Sequence, residues 1–386
     1  MGFGALIGTG SRNELLRGEL LACVTEVRIE QSLEEPTRFA IRFQEDIRDG
    51  EPLVMGAAEL QPEQILTVVV PDGDELRCLT RGPITEVRCS VAIGGPGSWV
   101  ELHGVDRRVE LDRQCFRHVW EGRASDAATT ILRGYDFEVD VEATTRNYSH
   151  SVGTLNQRAT DLAFLRRLAR QNNLSFWLDY ECRLAGTPPL GGSLTVREIA
   201  RFKSSPARPE GPSPPVSVAD IPLVPSVDVA LRVNVAPDRC QTVTAFQMDV
   251  DVERPNGFEG SAINDRDGRE SRTSADDRQP ALASGERLRD VTGRNRSVCI
   301  TSPGDAEELQ PRAEALLTDA GWFVHATAST TAHMLGAVLV PHDVVPVEGL
   351  DRRHSGPYQV AGATHVINAA DHFMDLELRS NYLGAA

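Results

Sequence analysis

Asp249, Asp251 and Glu253 alternate along the chain, which places three carboxylates on one face of a strand. Two such groups can divide general acid and general base work if a pocket keeps one of them protonated. Nothing around them foretells a pocket, so a wetted strand face or a stripe lining a lumen is the expected reading. His325, His333, His342, His354, His365 and His372 gather in the last third without an H-E-x-x-H or H-x-H arrangement. The stretch from Asn264 to Gly268 has the composition of a calcium loop. Aligning Gly268 with the loop glycine, however, puts Ile263 and Ser274 at ligand positions that require acidic oxygens. Gly8-Thr9-Gly10 lacks the third glycine of a nucleotide loop, since Asn13 stands there. No G-x-S-x-G elbow is present for a serine nucleophile. The seven cysteines are odd in number and form no C-x-x-C pair, the pattern of buried free thiols in a reducing compartment. No enzyme, metal or cofactor is expected from these residues.

Composition narrows the class further. A chain of 386 residues is long enough for two or three domains, and its 40% hydrophobic and 25% charged content is that of a globular protein. No apolar run reaches membrane-spanning length, the first residues lack the basic and apolar regions of a secretory signal, and Leu6 stands where myristoylation needs Ser or Thr. A net charge of −16 argues against a nucleic-acid surface and suits equally a conduit along which polyanions or folded cargo slide and an ordinary soluble surface. Lys203 is the only lysine, which reads as coding bias.

The element with the strongest local signal lies at 157–180, QRATDLAFLRRLARQNNLSFWLDY. Thr160 is a good N-cap, Asp161 suits the positive end of the helix dipole, and Asn172 and Asn173 supply a stop able to turn left-handed. Leu162, Leu165, Leu168 and Ala169 recur with helical spacing while Arg166, Arg167 and Arg170 fall between them. Leu174, Phe176, Leu178 and Tyr180 then alternate as a strand. Residues 20–105 hold short alternating strands near 23–29, 39–43, 65–70, 84–91 and 99–102, the pattern of a small antiparallel barrel or sandwich. Helices near 125–132, begun by Ser125 or Asp126, and 161–170 mark an α+β middle. The Pro-rich stretch 204–225 reads as a linker. Strands return at 227–233 and 241–252, then, after a polar stretch at 254–296 expected to be poorly ordered loop, a helix at 305–320 and strands at 322–334, 338–340, 344–347, 358–367 and 373–379.

The order of residues is more telling than their period. Gln157, Thr160, Asp161, Leu162, Phe164, Leu165, Arg166, Arg167, Leu168, Asn172 and Phe176 resemble the Q-x-x-[ST]-D-L-x-F-L-R-R-L…N…F signature of the phage late control protein D family. That family includes contractile-tail baseplate hubs and the base of type VI secretion VgrG spikes. The segment from Trp120 to Ile131 is similar to the family's strand, turn and helix, and Ser355-Gly-Pro-Tyr358-Gln-Val360 with His365 to its closing strands. Ala159 and Asn173 depart from the pattern, which usually has an acidic residue and a glycine there.

The resemblance implies a β-rich α+β chain: a first tube-like barrel over 1–105, a middle domain with linker over 106–222, and a second barrel over 223–386 interrupted at 254–296. It implies a homotrimer presenting six barrels around a channel, fitting a sixfold tail tube or tube-initiator protein to a threefold spike, beside baseplate wedge proteins. Asp161, Phe164, Leu165, Arg166, Arg167, Tyr358 and His365 would be structural or interface residues. Assembly would occur in the cytoplasm, in a phage-tail-like particle that can be released, with no membrane anchor and no specific nucleic-acid binding. The sequence stops shortly after its last strand, so the β-helical spike is expected as a separate polypeptide. A tail-tip peptidoglycan hydrolase and a peripheral receptor-binding β protein are the rival readings. The first would need a catalytic dyad, and the second more than 5% aromatic residues for sugar stacking.

Overall fold

The computed structural model describes residues 4–45, 47–48, 51–92, 97–149, 154–185, 193–205, 229–234, 240–263, 270–276, 281–302 and 306–384. In the first region Val24–Ser32 (β1), Arg38–Gln44 (β2), Glu75–Ser90 (β3) and Trp99–Val105 (β4) are strands. Their alternation turns Val27, Ile29, Ile41, Phe43 and Leu102 inward, each fully or almost fully buried. In the last region the corresponding strands are Ala245–Val250 (β5), Val324–Thr331 (β6), Gly356–Asn368 (β7) and His372–Ser380 (β8).

These eight run antiparallel in the order β3-β4-β2-β1-β7-β8-β6-β5. The two β-rich regions meet where β1 pairs with β7, Ile29 opposite His365 and Val27 opposite Ile367. One apolar core runs under both halves, from Phe43 and Leu102 to Phe323, Met374 and Leu376. Among the described residues neither half closes on itself as a barrel. The sheet also continues from the first part of β3 through Ile65–Asp72, Leu6–Thr9 and Glu14–Leu15 to Ser193–Lys203 of the middle region.

That middle region has a core of its own. Ala124–Gly134 (α1) and Asp161–Gln171 (α2) bury Ile131, Leu132, Phe164, Leu165 and Leu168 against Phe176 and Phe202. Thr160 Oγ1 accepts the Ala163 N–H at 3.2 Å, and Asn173 adopts φ 56°, so α2 starts and stops as its caps require. The start of α1 differs from expectation. Arg123 is its N-cap, and Asp126, three positions on, accepts the Arg123 N–H at 2.9 Å. The acid serves from inside the first turn, where its charge also meets the helix dipole.

Two further expectations are corrected. Within the polar 254–296 stretch, Gly257–Ile263 pairs antiparallel with Glu270–Asp276 and parallel with Ser297–Ser302. This small sheet is organised by Phe258, which packs against Leu309, Ala313 and Leu317 of Ala306–Gly321 (α3). Its apolar cover comes from a helix outside the stretch, so local composition could not reveal it. Residues 338–340 form no strand; the Val338 N–H goes instead to Asp72 Oδ1 at 2.9 Å. The seven cysteines are free, but Cys78 alone is buried, whereas Cys89, Cys115, Cys240 and Cys299 are exposed. Most of the Pro-rich linker, within 206–228, and most of the calcium-loop-like segment, within 264–269, lie outside the described residues.

Close packing of β2 on β4 gives one testable point. A Cβ added at Gly104 would lie 2.0 Å from Phe39 Cζ and 2.5 Å from the Pro83 carbonyl oxygen. Gly104→Ala is expected to lower stability by about 1–3 kcal/mol through overpacking. The loss should read as a lower urea midpoint at unchanged slope.

Candidate assembly interface

The face of the eight-stranded sheet opposite the core is polar. Arg28 and Glu30 on β1, Arg42 on β2, Thr327 on β6, Asp375 and Glu377 on β8 and Asp249 on β5 all point there, each exposed. Charges of both signs alternate on the first half, with Arg28–Glu30 and Arg88–Glu86 pairs at 2.8 Å. Such exposed pairs contribute little stability but keep the face hydrated. Of the three alternating carboxylates, Asp249 alone lies within a strand. Asp251 and Glu253 lie past the end of β5, where they pair with Arg254 and Arg296.

Among the described residues both ends of this sheet are open. Among those residues β5 pairs only with β6, and residues 85–90 of β3 pair only with β4. β5 offers an edge of six residues, matched in length by residues 85–90. The apolar side of each edge is incompletely covered: Val87 and Val91 flank one and Val252 follows the other, all exposed, while Phe246, Met248 and Val250 are half-buried. Because eight strands alternate in direction, the two edge strands run opposite ways. A rotated copy would therefore meet its neighbour antiparallel, continuing the ladder without a break.

The motif residues of α2 divide between core and clamp. Asp161 accepts the Tyr135 hydroxyl at 2.8 Å and Gln157 Nε2 at 2.6 Å, and Gln157 Oε1 accepts the Trp120 indole N–H at 2.9 Å. Phe164 and Leu165 have no exposed surface. Arg166 and Arg170 face outward and pair with Glu35 and Glu34 in the loop after β1, fastening the helix to the first β region. Arg167 lies over the Phe164 ring, its guanidinium carbon 5.1 Å from the centroid.

Tyr358 and His365 sit elsewhere, in the shared core. The buried Tyr358 hydroxyl donates to the His354 carbonyl at 2.9 Å. His365 Nδ1 lies 2.9 Å from His372 Nε2, and its Nε2 lies 3.1 Å from Gln31 Oε1. Gln31 Nε2 in turn donates to the Leu79 carbonyl at 2.7 Å. Since the Gln31 oxygen needs a donor, His365 carries its proton on Nε2 and accepts the His372 N–H at Nδ1. This relay crosses the β1–β7 seam. Burial, then the neighbouring His372, holds the pKa of His365 down to about 3, and burial holds His372 at about 4.

A second buried polar knot was not foreseen from sequence. Asp106, directly after β4, accepts the Thr37 N–H at 2.6 Å and the Arg108 guanidinium at 2.7 Å. No spacing rule marks it; its only signal is its place where the strand-rich region gives way to the helical one. Among the described residues no cluster of His, Cys, Asp and Glu is grouped to hold a metal, and no helix is long and apolar enough to cross a membrane.

Solved structures with the same arrangement come from phage tails. The 43 kDa tail protein of prophage MuSo2 from Shewanella oneidensis is 13% identical, with 97% of each chain covered at a TM-score of 0.61. A tail protein from Neisseria meningitidis MC58 is 14% identical, with 99% of this chain and 97% of that one covered at 0.60. The chain has a phage tail protein fold. An Escherichia coli component of the type VI secretion system, described as similar to T4 bacteriophage tail proteins, is 13% identical, with 98% of this chain and 78% of that one covered at a TM-score of 0.52. No protein-family model and no curated protein matches the sequence. The tail-protein fold agrees with the late control protein D resemblance of the α2 motif. It extends that likeness over the first β region, where the sequence matched in pattern alone.

Proposed function

We propose that the chain is a non-enzymatic baseplate hub of a contractile injection machine. Three copies form a ring that joins a sixfold tail tube, or its initiator protein, to a threefold spike, with wedge proteins around it. The observation that carries this reading is the eight-stranded sheet with two edges, unpaired among the described residues, of equal length and opposite direction. Its halves contribute four strands each, β3-β4-β2-β1 and β7-β8-β6-β5, so three chains present six four-stranded units. The joint within a chain is the β1–β7 pairing; the joint between chains is β5 of one copy against residues 85–90 of the next. Contacts of this head-to-tail kind close into a ring when the rotation allows. The polar face lines the conduit, and the middle domain, clamped by Glu34 and Glu35, braces the ring. Asp161, Phe164 and Leu165 hold that brace together, Arg166 and Arg167 face its surroundings, His365 fixes the strands at the seam, and Tyr358 holds the start of β7 to the turn before it.

Size-exclusion chromatography with light scattering tests the reading. Wild type is expected to run as a trimer at micromolar concentration. Val87→Lys combined with Val252→Lys places charge on both exposed edges without touching the core, and is expected to release folded monomers. A wild type that stays monomeric when its tube and spike partners are supplied, or a trimer indifferent to both lysines, overturns it.

A further inference from the structure

Although the chain is acidic overall, one cleft reverses the sign. It lies between α2, α3 and the end of β8, measures about 800 Å³, and among the described residues is lined by Arg166, Arg167, Arg170, Arg312 and Arg379 against two carboxylates, Glu34 and Asp319. The rim arginines of α2 are already engaged, Arg166 with Glu35, Arg170 with Glu34 and Arg167 with the Asn156 carbonyl. Arg379 differs. Its Nε donates to Gln359 Oε1 at 2.9 Å and its guanidinium carbon stands 4.2 Å from the Trp322 ring centroid. Neither partner is an acid, and among the described residues its terminal N–H groups, on the wall of the cleft, meet none. Burial, the largest influence, pulls this guanidinium down to about 10, and the charges of Asp319 and Glu34 nearby push it back up only in part.

We propose that this cleft docks an acidic, partly apolar segment of a partner protein, with a carboxylate seated on the guanidinium of Arg379 beside Trp322. The planar fork of an arginine matches a carboxylate through two parallel hydrogen bonds, and desolvation by Trp322 strengthens them. Leu33, Leu174 and Leu316 supply the apolar remainder of the wall. A nucleic acid fits less well, because Glu34 and Asp319 interrupt the basic surface and the chain around it carries a net charge of −16. The inference stands whether or not the ring reading holds, since it concerns the middle domain's contact with α3 rather than the sheet edges.

The test uses the full chain and fluorescence anisotropy with three labelled probes: an octapeptide alternating glutamate and leucine, its glutamine–leucine counterpart, and a short single-stranded oligonucleotide. The glutamate peptide is expected to bind saturably and its counterpart at least about tenfold more weakly, the usual weight of a charge-assisted hydrogen bond. Arg379→Gln should weaken the glutamate peptide by about tenfold or more, and Arg379→Lys by less, since it keeps charge but loses the fork. Asp319→Asn removes a competing carboxylate and should strengthen binding about two- to threefold, which keeps the test decisive if the Arg379 variants fold poorly. Equal binding of the two peptides, an Asp319→Asn affinity no better than wild type, or preferential binding of the oligonucleotide would each overturn the proposal.

Discussion

Asp106→Ala is expected to destabilise the chain by about 3–5 kcal/mol, the cost of leaving a buried guanidinium without its counter-ion. The Arg108 side chain is 4% exposed and that of Asp106 1%. One carboxylate receives the Thr37 N–H at 2.6 Å, the Arg108 N–H at 2.9 Å and the Arg108 guanidinium at 2.7–3.1 Å, while Arg108 Nη2 also donates to the Glu35 carbonyl at 3.0 Å. The side chain thereby ties the β1–β2 loop to the first turn of the middle region. Removing it orphans several donors at once, and the full desolvation penalty of each appears. Asp106→Leu combined with Arg108→Met removes both charges and should recover most of the loss, because apolar residues of similar size tolerate such sites. Urea unfolding of the two variants checks this. A single variant within about 1 kcal/mol of wild type, or a double variant as weak as the single, contradicts it.

The same pair illustrates what could be read from the sequence and what could not. Helix α2 was legible because its determinants are local: Thr160 and Asp161 at one end, Asn173 at the other, leucines at helical spacing between. Strands such as β8 were legible because alternation states which side chains turn inward. Alternation does not state against what. The β1–β7 seam joins residues such as Gln31 and His365, 334 positions apart, and no local pattern encodes that register. Hence two β-rich regions were recognisable but their common core was not. The hairpin at 257–276 was missed because only Phe258 and Ala275 of its described residues anchor it and its cover, α3, lies beyond the stretch. Arg379 was missed for the opposite reason: with Asp375 and Glu377 it continues an exposed stripe, yet Trp322 covers it. The family resemblance added the expectation of a phage-tail fold, which the solved tail proteins share; the open edges and the arginine cleft came from geometry.

Acidification is expected to weaken the fold well above the carboxylate range. His342, His365 and His372 are held neutral chiefly by burial, with pKa values of about 3, 3 and 4 against an ordinary 6.5. A depressed histidine binds its proton in the unfolded chain before the folded one, so its contribution is intact above about 6.5 and is lost progressively below. Each such group costs about 1.4 kcal/mol per pH unit across that window, down to its folded pKa. At His365 the cause is visible: a second proton would sit on Nδ1, facing the N–H that His372 already donates. At His342 the ring lies 3.8 Å from Trp177, its Nδ1 is 2.8 Å from Ser205 Oγ, and its Nε2 is buried without a partner among the described residues, while Arg379, Arg108 and Arg201 add repulsion. Asp343, raised by burial, titrates with the opposite sign, gaining stability as it protonates, and offsets part of the loss at the low end. The thermal midpoint should therefore fall steadily between pH 6.5 and about 4.5, while His365→Gln with His372→Gln, less stable at pH 7, should show a shallower slope. Parallel slopes for the two proteins would place the acid sensitivity elsewhere and break the link between these histidines and the β1–β7 seam.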